Sequence, residues 1–221
     1  MTLLLVALTA FVGSHFLLSH PLCAPLVARL GNGGFVLVYS LVAFATLGWA
    51  VAAWKATPVD LWWVAPAWAW PIAAVVMLLA TILFVGSVAT PNPALMGMPA
   101  PDGTPRGVQR ITRHPMMWAF ALWAGVHGEL AGSSRTVALA SAIAILALVG
   151  ARLQDGKKRA QLGPAWAAHE AATSFVPFGR GFAHGLPMPG WVALIGGIVL
   201  LLAATWLHPL AGGPNLWSLA G

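Results

Sequence analysis

Charged residues are scarce in this sequence, and acidic ones most of all. Only 7% of its 221 residues are charged, with five Asp/Glu in total, whereas 59% are hydrophobic. In soluble domains roughly a quarter of all residues are charged, because a surface that faces water needs polar side chains. The composition therefore excludes an ordinary water-soluble domain and predicts a protein whose outer surface faces lipid.

Cysteine is almost absent too, and this excludes several kinds of site. Cys23 is the single cysteine, so the chain can form neither an internal disulfide nor a CxxC redox pair nor a cysteine-based zinc cluster. The net charge of +6 does not indicate a nucleic-acid partner, since the basic residues are spread over several loops instead of forming one stripe. We expect membrane lipid as the surrounding partner and no nucleic acid.

Long apolar segments dominate what is present. A bilayer core of about 30 Å requires roughly 20 apolar residues per helix. Six segments, bounded by Gly, Pro, Asn or charged residues, satisfy this: Thr2–Ser19, Phe35–Trp54, Pro66–Ala89, Pro115–Ala131, Thr136–Ala151 and Pro189–Leu207. The predicted fold is all-α, a polytopic membrane bundle of about six transmembrane helices that forms a single domain over residues 1–221.

The distribution of basic residues predicts the orientation of these helices. Short loops that are rich in Lys and Arg stay on the cytoplasmic side of the membrane. With six spans and the N-terminus outside, only Lys55 and Arg135 lie on the outer side, and the other nine of the eleven Lys/Arg lie inside. We therefore expect both termini on the outer, periplasmic side of a bacterial inner membrane. Tryptophans cluster near the predicted outer surface, as expected for interfacial rings.

Histidines within the spans are the candidates for chemistry. An ionisable residue in hydrocarbon is costly and is a functional candidate by default. His15 lies in the first span, His114 and His127 at the two ends of the fourth, and His208 at the end of the sixth. Neutral imidazole binds iron, and a porphyrin needs only one or two axial nitrogens and an apolar slot between helices. Composition therefore favours haem, with hydrogen bonding between helices as the alternative role of each histidine.

Helical geometry groups some of these residues. At 100° per residue, Phe120, Trp123 and His127 share one face of the fourth span together with Met116, whereas His114 is turned away from His127. The remaining histidines, His20, His169 and His184, fall in predicted loops, where we expect them to be solvated.

The string Arg113-His114-Pro115 marks the predicted inner edge of the fourth span. Proline fits the first position of a helix, because no backbone donor is lost there. Arg113 next to that helix start could hold an anion such as a haem propionate or a lipid phosphate. The alternative is an ordinary basic anchor at the interface.

The motifs together resemble the NnrU family nearly from end to end. The matching stretches are Gly13-Ser14-His15-Phe16 with Ser19, Gly31 to Tyr39, Thr112-Arg113-His114-Pro115, Leu122-Trp123 with His127, and His208-Pro209. The same pattern is similar to the plant and cyanobacterial 15-cis-ζ-carotene isomerases, membrane enzymes that carry haem b. The resemblance implies a haem b cofactor and His15 and His127 as its iron ligands. It implies that His114 and His208 are further site residues, and it assigns ligation to neither of them.

The predicted depths of these histidines favour other pairs. His127 lies about 13 residues, or roughly 20 Å, from the inner edge of its span, and His15 only about five residues. Their depths thus differ by about 12 Å, whereas His15 with His114, or His127 with His208, would match in depth. Where the plant enzymes have a cysteine three residues before the second ligand, this chain has Ala124.

Three functions remain open at this point. The resemblance implies either a cis-trans isomerase of a lipid-soluble polyene or a non-catalytic haem protein or accessory factor that supports nitrite or nitric oxide respiration, that is, denitrification. The Arg-His-Pro start also resembles the isoprenylcysteine carboxyl methyltransferases. The last span of this chain lacks the acidic residues of their C-terminal stretch, which ranks that function third.

Overall fold

The computed structural model describes residues 1–95, 98, 104–181 and 186–217. Within these ranges the regular structure is helical. Seven α-helices follow one another: α1 Thr2–Ser19, α2 Cys23–Ala56, α3 Ala69–Ala89, α4 Pro115–Ala131, α5 Ser134–Leu162, α6 Pro164–Ala172 and α7 Trp191–Leu207. Short 3-10 turns cover Gly107–Arg110 and His208–Ala211. The predicted all-α class is confirmed.

Five helices in the described ranges are long and apolar enough to cross a membrane: α1, α2, α3, α5 and α7 with the turn after it. The remaining predicted span, the fourth, corresponds to α4 and has the predicted bounds but only 17 residues, or about 25 Å. The chain is thus an integral membrane protein by its helices. The orientation of the termini stays a prediction.

Two helices are longer than the sequence predicts. The second begins at Cys23 instead of Phe35 and continues through a kink at Gly31, where φ is 70°. Glycine tolerates this left-handed backbone at no steric cost. The fifth helix continues to Leu162 instead of ending at Ala151. Its extension beyond Ala151 is polar, so this part projects beyond the apolar stretch that crosses the membrane.

The chain divides into two compact units. The first comprises Met1–Trp70 and Ala124–Gly150, and the second Pro71–Trp123 and Ala151–Gly221. The core of the first unit is formed by α1, α2 and α5. Four of its six buried residues are alanines, and the other two are leucines: Leu4, Ala7, Leu8, Ala50, Ala53 and Ala142. Small residues allow helices to approach closely in lipid, where packing replaces the hydrophobic effect as the driving force.

A loop of the first unit is fixed to the turn between α4 and α5. The Asp60 carboxylate accepts hydrogen bonds from the backbone N–H and the hydroxyl of Ser134, the first residue of α5. The Trp62 N–H donates to the Gly132 carbonyl at 2.6 Å. Gly132 has φ 57°, and a Cβ there would lie 2.0 Å from the Trp63 carbonyl oxygen, so this turn requires glycine.

The second unit has its own core around α3. Ile82 and Leu83 pack with Val108, Ile111, Ala119 and Ala193, which come from the 3-10 turn and the residue after it, from α4 and from α7. Helices α3 and α7 approach each other closely. A Cβ at Gly197 would lie 2.8 Å from both Cα and N of Ile82.

We predict that Gly197→Ala destabilises the protein by about 2 kcal/mol, although alanine forms helices better than glycine. The added methyl meets the backbone of α3, which cannot move aside alone. Gly196→Ala is the matched control, because its Cβ meets only the end of the Val85 side chain, at 2.7 Å. Thermal unfolding in detergent, followed by tryptophan fluorescence, measures both variants. An equal or smaller loss for Gly197→Ala would contradict this packing.

Candidate functional site

The candidate residues lie in both units. His15 and His127 belong to the first, and Arg113, His114, Phe120, Trp123 and His208 to the second. Within the second unit the structure brings Arg113 and His114 together around a carboxylate that the sequence did not single out, Asp155. The two sites are described in turn, beginning with His15.

His15 lies half-buried between α1 and α2. Its Nδ1 is 2.7 Å from the carbonyl oxygen of Phe11, one turn earlier. Because a carbonyl only accepts, Nδ1 carries the proton, and the lone pair of the neutral ring is on Nε2. The rings of Phe11 and Tyr39 meet the imidazole edge-on, at centroid distances of 4.5 and 5.4 Å.

His127 is half-buried on α4. The residues of α5 that lie beside α4 and α1 allow the positions of His127 and His15 along α5 to be compared. A Cβ at Gly128 would lie 3.4 Å from the Ala140 Cβ, and one at Gly150 would lie 3.9 Å from the Phe16 ring. Ten residues separate Ala140 from Gly150, which is roughly 15 Å of helix. The backbones next to His127 and His15 are therefore staggered along α5, as the depth argument predicted.

A buried ionic cluster occupies the start of α4. The side chain of Arg113 donates to Asp155 through Nε, at 3.1 and 3.0 Å, and through Nη2, at 2.7 Å. The Nε2–H of His114 donates to the same carboxylate at 2.7 Å. The side chain of Asp155 is completely buried, and those of Arg113 and His114 are 8% and 1% exposed. The anion that Arg113 holds in this structure is therefore a carboxylate of the chain itself.

Two forces act on Asp155, which lies on the polar extension of α5 beyond the membrane-crossing part. Burial by itself would raise the pKa of its carboxyl group. The hydrogen bonds from His114 and Arg113, and their charges, outweigh burial and lower the pKa to about 2. Asp155 is thus ionised at neutral pH, as a buried carboxylate with two good donors should be.

The segment after α6 closes over this cluster. Phe175 places its ring 5.5 Å from the His114 ring and 5.4 Å from the guanidinium carbon of Arg113. Its carbonyl oxygen accepts hydrogen bonds from Thr112 Oγ1 and Trp118 Nε1, both at 2.7 Å. The Arg-His-Pro string is therefore held from two directions, by α5 and by the chain after α6.

The expectation that His169 is solvated was wrong. The sequence showed no apolar run between Arg152 and Pro187, yet α6 forms there and buries His169, which is 1% exposed, against Trp166. Glu170, next to His169, accepts two hydrogen bonds of 2.7 Å from the side chain of Arg159 on α5. His20 is half-buried at the end of α1, and His184 lies outside the described residues.

The other candidate residues have separate surroundings. Phe120 is 40% exposed, and its ring contacts that of Phe84 on α3 at 5.9 Å. Trp123 is half-buried on α4. His208 is half-buried, and its Nδ1 lies 3.1 Å from the Pro214 carbonyl oxygen. No group of three or more His, Cys, Asp or Glu suited to a metal ion is found among the described residues.

Comparison with known proteins gives one match. The family model for the NnrU protein matches residues 3–215, which is nearly the whole chain. No curated protein and no solved structure matches the chain.

We predict that Asp155→Asn destabilises the protein by about 3 kcal/mol at neutral pH, because it leaves the buried Arg113 without its main counter-charge. Glu170→Gln is the control, since Glu170 lies 3.5 Å from Arg113 and its two hydrogen bonds go to Arg159, whose side chain is 50% exposed. It should cost much less, because water can replace an exposed ion pair. Chemical unfolding in detergent measures both variants.

The pH dependence of the free energy of unfolding provides a second test of the ion pair between Asp155 and Arg113. The pKa of Asp155 is lowered when folded, so its contribution is complete above about pH 4 and is lost as the pH falls towards 2. The wild type should lose stability in this range, and Asp155→Asn should lose less. Equal acid sensitivity of both proteins would contradict the paired, ionised Asp155.

Proposed function

The chain belongs to the NnrU family, and we propose that it is a membrane protein that binds haem b through Nε2 of His15. We propose further that the bound haem acts in cis-trans isomerisation of a lipid-soluble polyene such as 15-cis-ζ-carotene. The family resemblance of the sequence motifs suggested this function, and the surroundings of His15 support it.

One observation carries the proposal, the hydrogen bond between Nδ1 of His15 and the Phe11 carbonyl. Histidines that bind metals nearly always donate their second ring N–H to a carbonyl or a carboxylate, which fixes the tautomer and orients the ring. His15 has this arrangement, and Nε2 is the nitrogen farther from the backbone. The residues present thus fit one axial ligand of a porphyrin.

The same reasoning argues against His114 as an axial ligand. Its Nε2 is already engaged by Asp155 at 2.7 Å, which leaves only Nδ1. That nitrogen is bonded to Cγ, the ring carbon that carries Cβ, so a flat porphyrin that approached it would meet the backbone of the helix start. Of the two histidines that matched in depth, His15 has the nitrogen that a porphyrin can reach.

His127 is the second ligand in this proposal, as the family resemblance implies. The stagger of roughly 15 Å along α5 requires both side chains to reach towards each other along the helices. His15 and His127 would hold the haem together, and we expect the contribution of His127 to be the smaller one, because the bond to the Phe11 carbonyl already orients the ring of His15 as a ligand.

The chain's own residues create the surroundings that such a reaction needs. When bound, haem supplies an iron that draws electron density from a conjugated double bond. Phe11 and Tyr39 shield the His15 imidazole from water. Nearby apolar side chains face outwards: Leu17 is 52% exposed, Leu37 60% and Leu41 61%. A polyene dissolved in lipid can thus approach without crossing water.

The non-catalytic alternative, a haem protein supporting nitrite or nitric oxide respiration, differs in one property. A site whose two histidines stay bound suits electron transfer or haem handling, whereas an isomerase needs one ligand to leave. Adding cis-ζ-carotene to the reduced protein separates the two functions. A shifted Soret band with trans product supports the isomerase, and an unchanged band without product supports the alternative.

We predict that purified wild type contains haem b, that His15→Ala loses most of it, and that His127→Ala retains more than His15→Ala. A pyridine haemochrome assay, with protein quantified separately, measures the occupancy. His20→Ala is the matched control, because it removes an imidazole at the end of the same helix, where Nδ1 contacts Ser19 Oγ at 2.9 Å. Full haem retention in His15→Ala, or a folded wild type without haem despite ample supply, would contradict the proposal.

A further inference from the structure

Helix α6 lies beside the ionic cluster, where Glu170 Oε1 is 3.5 Å from Arg113 Nη2, and it buries two rings. Trp166 is 0% exposed and His169 is 1% exposed, and their ring centroids lie 5.1 Å apart. The helix begins after Gly163, whose φ of 51° is a backbone conformation that glycine adopts readily. A short helix attached by such a residue can pivot as one piece if its buried face is released.

In the part of the chain that the structure describes, the buried face of α6 offers no hydrogen-bond acceptor for an additional proton on His169. Nε2 of His169 and Nε1 of Trp166 are both buried and have no hydrogen-bond partner among the described residues. A neutral imidazole in this position leaves Nε2 unsatisfied in either tautomer. A protonated imidazole would bury a charge and an N–H without an acceptor, which costs far more.

The charged groups facing His169 do not compensate for this cost. Arg113 and His114 come from the start of α4, Asp155 from α5 and Glu170 from α6 itself. The carboxylate of Asp155 is already bound by Arg113 and His114. That of Glu170 is bound by Arg159 and lies 3.5 Å from Arg113.

The balance of these effects is unfavourable for the charged imidazole. Burial lowers the pKa of His169, and the nearby Arg113 and His114 lower it further, against smaller opposing effects of Asp155 and Glu170. The docked helix therefore requires a neutral His169.

We propose that α6 is a pH-sensitive latch, docked on the Arg113–Asp155–His114 cluster while His169 is neutral and released from it when His169 takes up one proton. Release would open the buried Asp155–His114 pair to water on that side of the membrane. The proposal rests on α6 alone and does not depend on haem binding.

The chain after α6 is fixed independently, so the release stays local. Four hydrogen bonds join residues 174–178 to the start of α4. The backbone N–H of Arg113 donates to Ser174 at 2.8 Å, that of Phe178 donates to Ile111 at 2.9 Å, and the Phe175 carbonyl accepts from Thr112 and Trp118. None of them involves His169.

The expected pH dependence follows from proton uptake in the released state. The released helix has an ordinary histidine, with a pKa near 6.5, and the docked helix has a lower one. Docking is thus fully favourable above about pH 6.5. Below it, the ratio of released to docked helix should rise about tenfold per pH unit, until the docked histidine also becomes protonated.

Hydrogen–deuterium exchange of the full-length protein in detergent, between pH 7.5 and 5.0, tests the latch. After correction for the intrinsic pH dependence of exchange, the amides of α6 should lose protection below about pH 6.5, about tenfold per unit. The backbone N–H groups of Arg113 and Phe178, which donate to Ser174 and Ile111, serve as the internal control and should stay protected. Unchanged protection of α6 down to pH 5.0 would overturn the proposal.

Three variants identify the titrating group. His169→Phe, which cannot take up a proton, should keep α6 protected at all these pH values, and His169→Gln serves the same purpose if phenylalanine does not fit. Glu170→Gln, at the next position, removes the ion pairs of α6 with Arg159 and Arg113 and should lower the protection of α6 at every pH, but the further loss below about pH 6.5 should remain. If folded His169 variants lose protection at low pH as the wild type does, another group titrates and the latch is refuted.

Discussion

The buried carboxylate of Asp155 is the constraint on which the second unit depends. A completely buried negative charge is tolerated only when it is paired and fully hydrogen-bonded. Arg113 and His114 supply those bonds, and both belong to the segment that starts α4. The need to compensate one charge therefore fixes where α4 begins and how it meets the extension of α5. Helix α6 and the chain after it shield this cluster from water.

Which nitrogen of each histidine is occupied separates a structural role from a binding role. His114 uses Nε2 for Asp155, whereas His15 uses Nδ1 for the Phe11 carbonyl. Two histidines that look alike in the sequence thus offer different nitrogens to a ligand. His114 supports the fold of its unit, and His15 has the arrangement of a ligand. His169, with Nε2 buried and unpartnered in the described structure, belongs to neither class and is sensitive to protonation.

The apolar helices were predictable because a bilayer imposes length and composition locally. The bounds of α1 and α4 agree with the predicted segments, and α3 and α7 differ only at their starts. The errors lie where polar residues continue a helix beyond the apolar stretch. The second span was predicted to start at Phe35, after the glycines at 31, 33 and 34, yet the helix begins at Cys23 and continues through a bend at Gly31. The polar end of α5 and the short α6 lack the apolar length on which the prediction depended.

Sequence alone determined that this chain lies in a membrane, where most of its helices run, and which histidines fall within them. Each of these properties depends on residues close together in the chain. Only the tertiary structure decided that Arg113 and His114 are bound by Asp155, more than forty positions away, and that His169 is buried. Hydrogen-bond partners far apart in sequence leave no local pattern, because only the packing of helices brings them within 3 Å of each other.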